Sequence, residues 1–339
     1  MSAITLHKRL LRSTLVWLPA LLLTACTGKA AQSATTPTAD SRQADASRPV
    51  PAFCADSAYH YMARQCDFGP RVPGSEAQRL CADWLADELR RHHAQVTVQH
   101  TQARAYDGTL LPVYNITGSY NPDARMRVLL LSHWDSRHVA DHDPDPALRH
   151  QPVMGANDGA SGVGVLLEVA RLAAQQQPQV GIDILLTDAE DYGAPDDWQG
   201  QHDEKWWAMG TQLWCQDAVS RGYRAEYGIL LDMVGSPDAT FYREYYSDRY
   251  AQAYVNEVWH TAASLGYSQL FIDRRGGGVT DDHVFVNRIL GLPCLDIIDT
   301  REDADGTFCP QWHTTSDTPD AISAETLGKV GNVLVKLLF

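Results

Sequence analysis

Four short, almost unbroken apolar runs constrain this chain more than any other feature: "RVLLLSHWD" (127–135), "GIDILLTD" (181–188), "YGILLDMVG" (227–235) and "PCLDIID" (293–299). A strand with one wet face would alternate polar and apolar residues, so these read as strands covered on both faces. Segments with helical spacing separate them near 158–176, 204–219 and 248–265, and another closes the chain near 323–338. Ahead of them, "AQVTVQHTQA" (94–103) and "LPVYNITGSY" (111–120) flank the turn "YDGT" and read as an antiparallel pair at a sheet edge. Helical spacing over 57–66 and 75–93 adds two helices, each opened or preceded by a serine. The predicted fold is α/β, a three-layer sandwich around a central mixed, mainly parallel sheet.

In such sheets ligands collect beyond the carboxyl ends of the strands, and the acids of this chain fall there. His133 and Asp135 end the first run, Asp188, Glu190 and Asp191 the second, Asp232 the third, and Asp296 and Asp299 the fourth, while Asp158 opens a helix after a strand. Within "DILLTDAEDYGAP" (183–195) three carboxylates crowd into four residues at the end of a buried strand. Repulsion and desolvation oppose that arrangement, and a divalent cation would relieve both. Carboxylates with a few imidazoles and no thiolate suit Zn²⁺ in a catalytic site. Neighbouring residues at a strand end point in different directions, so of Glu190 and Asp191 one can ligate a metal while the other faces substrate as a base.

The beginning of the chain has another character. Lys8, Arg9 and Arg12 precede the apolar run "LVWLPALLL" (15–23), too short to span a bilayer, and the whole reads as a signal peptide. It closes on "LTAC", which resembles the bacterial lipobox and would leave a lipid on Cys26, so residues 1–26 are the expected lipoprotein signal. Residues 27–50, rich in Ala, Ser, Thr, Gln, Asp and Pro, form the expected flexible tether. A single catalytic α/β domain is expected over 51–339, in the bacterial envelope on the periplasmic face of the outer membrane. Residues 1–50 hold six Lys or Arg against two Asp, which leaves near −18 for the rest of a chain whose total is −14. A surface that acidic excludes nucleic acid as a partner. Beyond Cys26 stand Cys54, Cys66, Cys81, Cys215, Cys294 and Cys309, and proximity in sequence suggests disulfides Cys54–Cys66 and Cys294–Cys309.

Five blocks, "LLLSHWDSR" (129–137), "GANDGASGVGVLLEVAR" (155–171), "DAEDYG" (188–193), "LLDMVG" (230–235) and "WHTTSDTPD" (312–320), resemble the zinc-dependent aminopeptidase superfamily in content and order. "TDDHVF" (280–285), the pair Trp312–His313, the stretch "DAEDYGAPDDW" with "WWAMGTQLW", and "FGPRVPGSEA" (68–77) resemble its glutaminyl-peptide cyclotransferase branch, particularly the bacterial, animal-like members. The resemblance implies a zinc-aminopeptidase-like fold and one Zn²⁺ held by Asp158, Asp191 and His313. It implies Glu190 as general base, and Asp281 with Asp232 orienting the reacting nitrogen. Trp312, Trp198 and Trp207 or Trp206, with His133, are the implied pocket lining. The implied substrates are peptides or proteins with an N-terminal glutamine, cyclised to pyroglutamate with release of ammonia.

This chain also departs from the family. Asp191 stands where many relatives carry glutamate, and Ser132 and Val163 stand where animal enzymes carry a disulfide near the site. His133 and Asp232 would complete a second zinc site in a two-zinc aminopeptidase, which is the first alternative function. A catalytically inactive peptide-binding envelope protein is the second. Asp282 and His283 could exchange roles with Asp281. The segment "HVADHDPDPALRH" (138–150) reads as a flexible insertion beside the site, and "RRGGGV" (274–279) as a loop next to Asp281.

Overall fold

The computed structural model describes residues 49–178, 180–301 and 308–339. The expected signal segment, Cys26 and all but the end of the expected tether lie outside them.

Six strands form the central sheet in the order β1-β2-β4-β3-β5-β8. The edge hairpin joins β1 (Gln95–Arg104) to β2 (Leu110–Tyr120), and β2 runs antiparallel to β4 (Gly181–Thr187). From there β4, β3 (Arg127–His133), β5 (Tyr227–Asp232) and β8 (Cys294–Ile298) are parallel. The sheet is therefore mixed and mainly parallel. Every residue of β4 and of β5 is buried, as their continuous apolar runs require.

The pleat divides the strand side chains between two helical layers. Val128, Leu130, Ile184, Ile229 and Leu295 pack with residues of α1 (Ala55–Cys66), α2 (Glu76–Arg91), α3 (Ala160–Gln175), α5 (Tyr245–Ser264) and α7 (Ala324–Leu338). Leu129, Leu131, Leu185 and Leu230 face the other way, onto α4 (Met209–Arg221) and the turn Val286–Leu290 that follows the short α6 (Asp282–Phe285). Helix α3 is apolar almost all round because it is buried by the sheet, α1 and α7 together.

Three local features differ from the sequence reading. The helix expected over 204–219 is a single 3₁₀ turn, Glu204–Trp206, then α4, separated at Ala208, whose φ is 49°. A second small sheet of β6 (Phe241–Arg243) and β7 (Phe271–Arg275) was not expected. Neither suggested disulfide forms, since all six described cysteines are free. Cys54 and Cys66 bracket the 12-residue α1, and at about 1.5 Å per residue its ends lie far beyond disulfide reach. Cys294 opens β8 beside Cys215, whereas Cys309 packs near Ile298 at the strand's other end. Among the described residues no helix is long and apolar enough to cross a membrane.

Candidate active site

The acid-rich turn after β4 is held by its neighbours. Asp188 Oδ2 accepts from Tyr114 N (2.8 Å) and Gln78 Nε2 (2.7 Å), and Oδ1 from Ala189 N (2.8 Å). This carboxyl is spent on the fold, and burial with the nearby Asp135 charge pushes its pKa well up. Ala189 then takes a left-handed φ of 53°, which turns the chain sharply. Glu190 N and Asp191 N donate to the two oxygens of Asp135, each at 3.1 Å, so a carboxylate from β3's end fixes the turn from behind.

Asp158, Asp191 and His313 converge, with ligand-capable atoms all within 4.8 Å of one another. His313 Nε2 lies 3.2 Å from Asp191 Oδ1 and 3.7 Å from Asp158 Oδ2. Donors about 2.0–2.1 Å from a tetrahedral ion stand roughly 3.3–3.4 Å apart, and these distances bracket that spacing. Asp191 Oδ2 is buried without a hydrogen-bond partner, as an oxygen reserved for a cation would be. The residues fit Zn²⁺.

Each ligand has a support. Asp317 accepts from Asn157 N (2.7 Å) and Asp158 N (3.1 Å), fixing the loop that carries Asp158. Gly159 lets that loop close on β3, because a Cβ there would meet His133 O at 2.3 Å. His313 adopts φ 54° and stacks on Trp312 at 3.8 Å. Its Nδ1 faces Asp141 Oδ1 at 3.4 Å. The Arg137 guanidinium, 1% exposed, donates to Asp141 at 2.9 and 2.6 Å and to Asp191 Oδ1 at 3.2 Å, beneath the Trp207 ring. Burial works against the Arg137 charge, but Asp141 and Asp191 outweigh it and hold the guanidinium charged.

A second set, His133, Asp158 and Asp232, adjoins the first. His133 Nε2 lies 3.0 Å from Asp158 Oδ1 and 3.2 Å from Asp232 Oδ1, so Asp158 faces both sets. Burial pushes the Asp232 pKa up to about 6 although His133 opposes it.

A cavity of about 330 Å³ opens over the first set, lined by Glu190, Asp232, Asp281, Trp207 and Trp312 among others, within the usual span of small-molecule sites. Met233, Ile298 and Phe308 give it apolar walls. Glu190 is 7% exposed, and burial raises its pKa well above the carboxylate range, against the pull of His133. Gly193 permits the Trp207 wall, since a Cβ there would overlap the indole at 2.1 Å.

Several expected lining residues are placed elsewhere. Trp198 folds away against Tyr106, edge-on at 4.9 Å, and does not line the cavity. Trp206 packs with Leu111 and Met209 instead. His133 lies beneath the ligands, 1% exposed, rather than in the wall. Asp282 accepts from Thr187 Oγ1 (2.7 Å), and His283 faces Glu244 (3.0 Å), so neither takes the place of Asp281 in the cavity. The insertion at 138–150 is bound into the site: Asp141 pairs with Arg137, His142 lies 4.3 Å from the Trp312 ring, and Asp143 accepts from Thr315 N (2.9 Å). Arg137, Asp141 and Asp317 had no role in the sequence reading, although Arg137 lies within the "LLLSHWDSR" block.

Known proteins share this architecture. The model of peptidase family M28 matches residues 115–338. A solved glutaminyl cyclase from Tannerella forsythia is 49% identical, with 85% of this chain and 99% of that one covered and a TM-score of 0.82. A leucine aminopeptidase precursor from Bacteroides thetaiotaomicron is 47% identical, with 85% and 98% covered and a TM-score of 0.82. The glutaminyl-peptide cyclotransferase of Drosophila melanogaster is 24% identical over 292 residues, 78% of this chain and 75% of that protein. From the family match and these similarities, the chain belongs to peptidase family M28, in the branch of the bacterial glutaminyl cyclases.

Proposed function

We infer that this protein is a zinc-dependent glutaminyl-peptide cyclotransferase, closing an N-terminal glutamine to pyroglutamate and releasing ammonia. One observation carries the reading: Glu190 faces the cavity next to the metal set, buried and without a place in that set. Burial raises its pKa, which strengthens it as a proton acceptor.

Asp158, Asp191 and His313 would hold the ion. Bound there, zinc supplies a Lewis acid for the γ-carbonyl of the substrate. Glu190 takes a proton from the α-nitrogen as that atom bonds to the carbonyl carbon of the side-chain amide, and gives one to the amide nitrogen as its bond to that same carbon breaks and ammonia leaves. Asp281 and Asp232, which line the same cavity, orient the α-nitrogen. Trp207 and Trp312 flank the glutamine stem and exclude water, whose attack would give glutamate instead. Ring closure joins atoms already in one molecule, so positioning supplies much of the acceleration.

The second metal-capable set favours one rival, a two-zinc aminopeptidase. Mass spectrometry of Gln-Xaa and Leu-Xaa peptides after incubation separates the two. Loss of one ammonia from the Gln peptide, with the Leu peptide intact, is the expected result. Release of free leucine, with two zinc ions per chain, would establish the rival. Zinc binding without turnover on either peptide would favour the inactive binding protein.

We also propose that Cys26 carries a lipid and places the domain in the bacterial envelope, on the periplasmic face of the outer membrane. The basic n-region, the apolar run and "LTAC" support this reading. N-terminal glutaminyl peptides or proteins are the proposed partners, and the acidic charge argues against nucleic acid.

A further inference from the structure

The stretch "FGPRVPGSEA" (68–77) contributes Arg71, an arginine with no exposed surface whose guanidinium is spent on backbone carbonyls. Its Nε donates to Trp134 O (3.1 Å), its Nη2 to Gly155 O (2.7 Å) and its Nη1 to Met154 O. Burying a guanidinium is costly unless its N–H groups are met, and carbonyls from two separate loops meet them here. Trp134 follows β3 and lies between His133 and Asp135. Met154 and Gly155 open the loop that ends in Asp158.

That loop is held from two sides by groups of opposite polarity. Arg71 takes its carbonyls at Met154 and Gly155, while Asp317 takes its N–H groups at Asn157 (2.7 Å) and Asp158 (3.1 Å). Gly155 permits the close approach: its φ is 66°, and a Cβ there would meet Asp158 O at 2.4 Å and Arg71 Nη2 at 3.1 Å. The same N-terminal stretch reaches the other ligand-bearing turn as well. Ser75 caps α2 by accepting from Gln78 N (3.0 Å), and Gln78 Nε2 donates to Asp188 Oδ2 (2.7 Å).

We propose that Arg71 is a positioning residue for the zinc set, fixing the start of the Asp158 loop against the end of β3. Asp317 holds the end of that loop next to Asp158, and Arg71 holds its beginning. Without the guanidinium, the buried carbonyls of Trp134, Met154 and Gly155 lose these N–H groups, and the backbone must turn to find others. Asp158 Oδ2 already stands 3.7 Å from His313 Nε2, the longer spacing in the set, so little displacement carries it out of reach of a shared ion.

The positioning role rests on the zinc reading, and not on whether the reaction is cyclisation or peptide hydrolysis. Chelator competition reads the zinc affinity, and the visible spectrum of the Co²⁺-substituted protein reads the geometry of the set. Arg71→Ala should bind zinc about 10–100-fold more weakly, the loss typical of an outer contact, and change the Co²⁺ spectrum. Arg71→Lys returns the charge without the planar fork, so its affinity should fall between the two. Leu334→Ala, which truncates the buried core on α7, controls for lost stability and should keep the wild-type affinity and spectrum. If Arg71→Ala matches wild type in both readouts, or weakens zinc no more than Leu334→Ala does, the positioning role fails. Should Arg71→Ala not fold, Arg71→Lys decides, and wild-type affinity and spectrum in that variant would overturn the proposal. Wild-type protein that holds no zinc would instead overturn the zinc reading beneath it.

Discussion

Replacing Arg137 with alanine tests whether the zinc set depends on a buried guanidinium. The side chains of Arg137, Asp141 and Asp191 are 1%, 8% and 2% exposed, so water offers no substitute for the lost partner. Asp141 would lose contacts of 2.9 and 2.6 Å, and Asp191 one of 3.2 Å. Stranding a buried charge costs about 3–5 kcal/mol, and here two carboxylates share the loss. Asp141 would also be free to leave His313 Nδ1, an outer contact of the kind whose removal weakens metal binding about 10–100-fold. Urea unfolding of the zinc-loaded protein should show a destabilisation of about 3–5 kcal/mol. Competition with a chelator should show the weaker zinc affinity. Arg137→Lys returns a charge but not the planar fork, so it should recover part of the stability and less of the affinity. If Arg137→Ala unfolds at the wild-type urea concentration and holds zinc as tightly, the guanidinium does not organise this site.

Three further changes probe separate parts of the structure. Glu190→Gln should retain zinc, measured by metal analysis, yet lose about 10²–10⁴-fold in turnover of Gln peptides, because it leaves the ligands alone and removes the proton carrier. Asp317→Ala strands the buried N–H groups of Asn157 and Asp158, at about 1–3 kcal/mol each by denaturant titration, with weaker zinc binding. Burial raises the pKa of Asp299 from 3.8 to about 6, so the folded protein binds more protons than the unfolded chain across that window and stability falls as pH rises through it. Relative to wild type, Asp299→Asn should therefore gain about 3 kcal/mol between about pH 4 and about pH 7, read from unfolding midpoints.

The sheet was legible because burial on both faces leaves a signature that needs no partner: a strand such as β4 must be apolar at every position. The features that escaped have no such signature. Strands β6 and β7 are three and five residues long, too short to show a period. The break ahead of α4 depends on a left-handed alanine, which nothing in "KWWAMG" announces. Trp198 was misplaced because a tryptophan's abundance near a site says nothing about its direction; the chain folds it onto Tyr106. The supporting layer was hidden for another reason. Asp317 reaches Asn157 across 160 positions and Arg137 reaches Asp191 across 54, and such pairs exist only once the sheet brings its strand ends together.

That supporting layer also answers why so many acids can crowd one edge of a buried sheet. Asp188 is satisfied by Tyr114, Gln78 and Ala189, and Asp135 by the backbone of the very turn that carries Glu190 and Asp191. Arg137 neutralises Asp141, His133 faces Asp232, and His283 faces Glu244. Among the described residues, carboxylate oxygens still buried without a donor belong to Asp281, Asp282, Asp296 and, at the junction of Asp158, Asp191 and His313, to Asp191 Oδ2. Much of the charge that the sequence places at the strand ends is thus answered from within the fold, and the share of Asp191 sits where a single dication would complete it. The carboxyl next to it, Glu190, is buried yet has no place in that set, which leaves it free to take and return a proton.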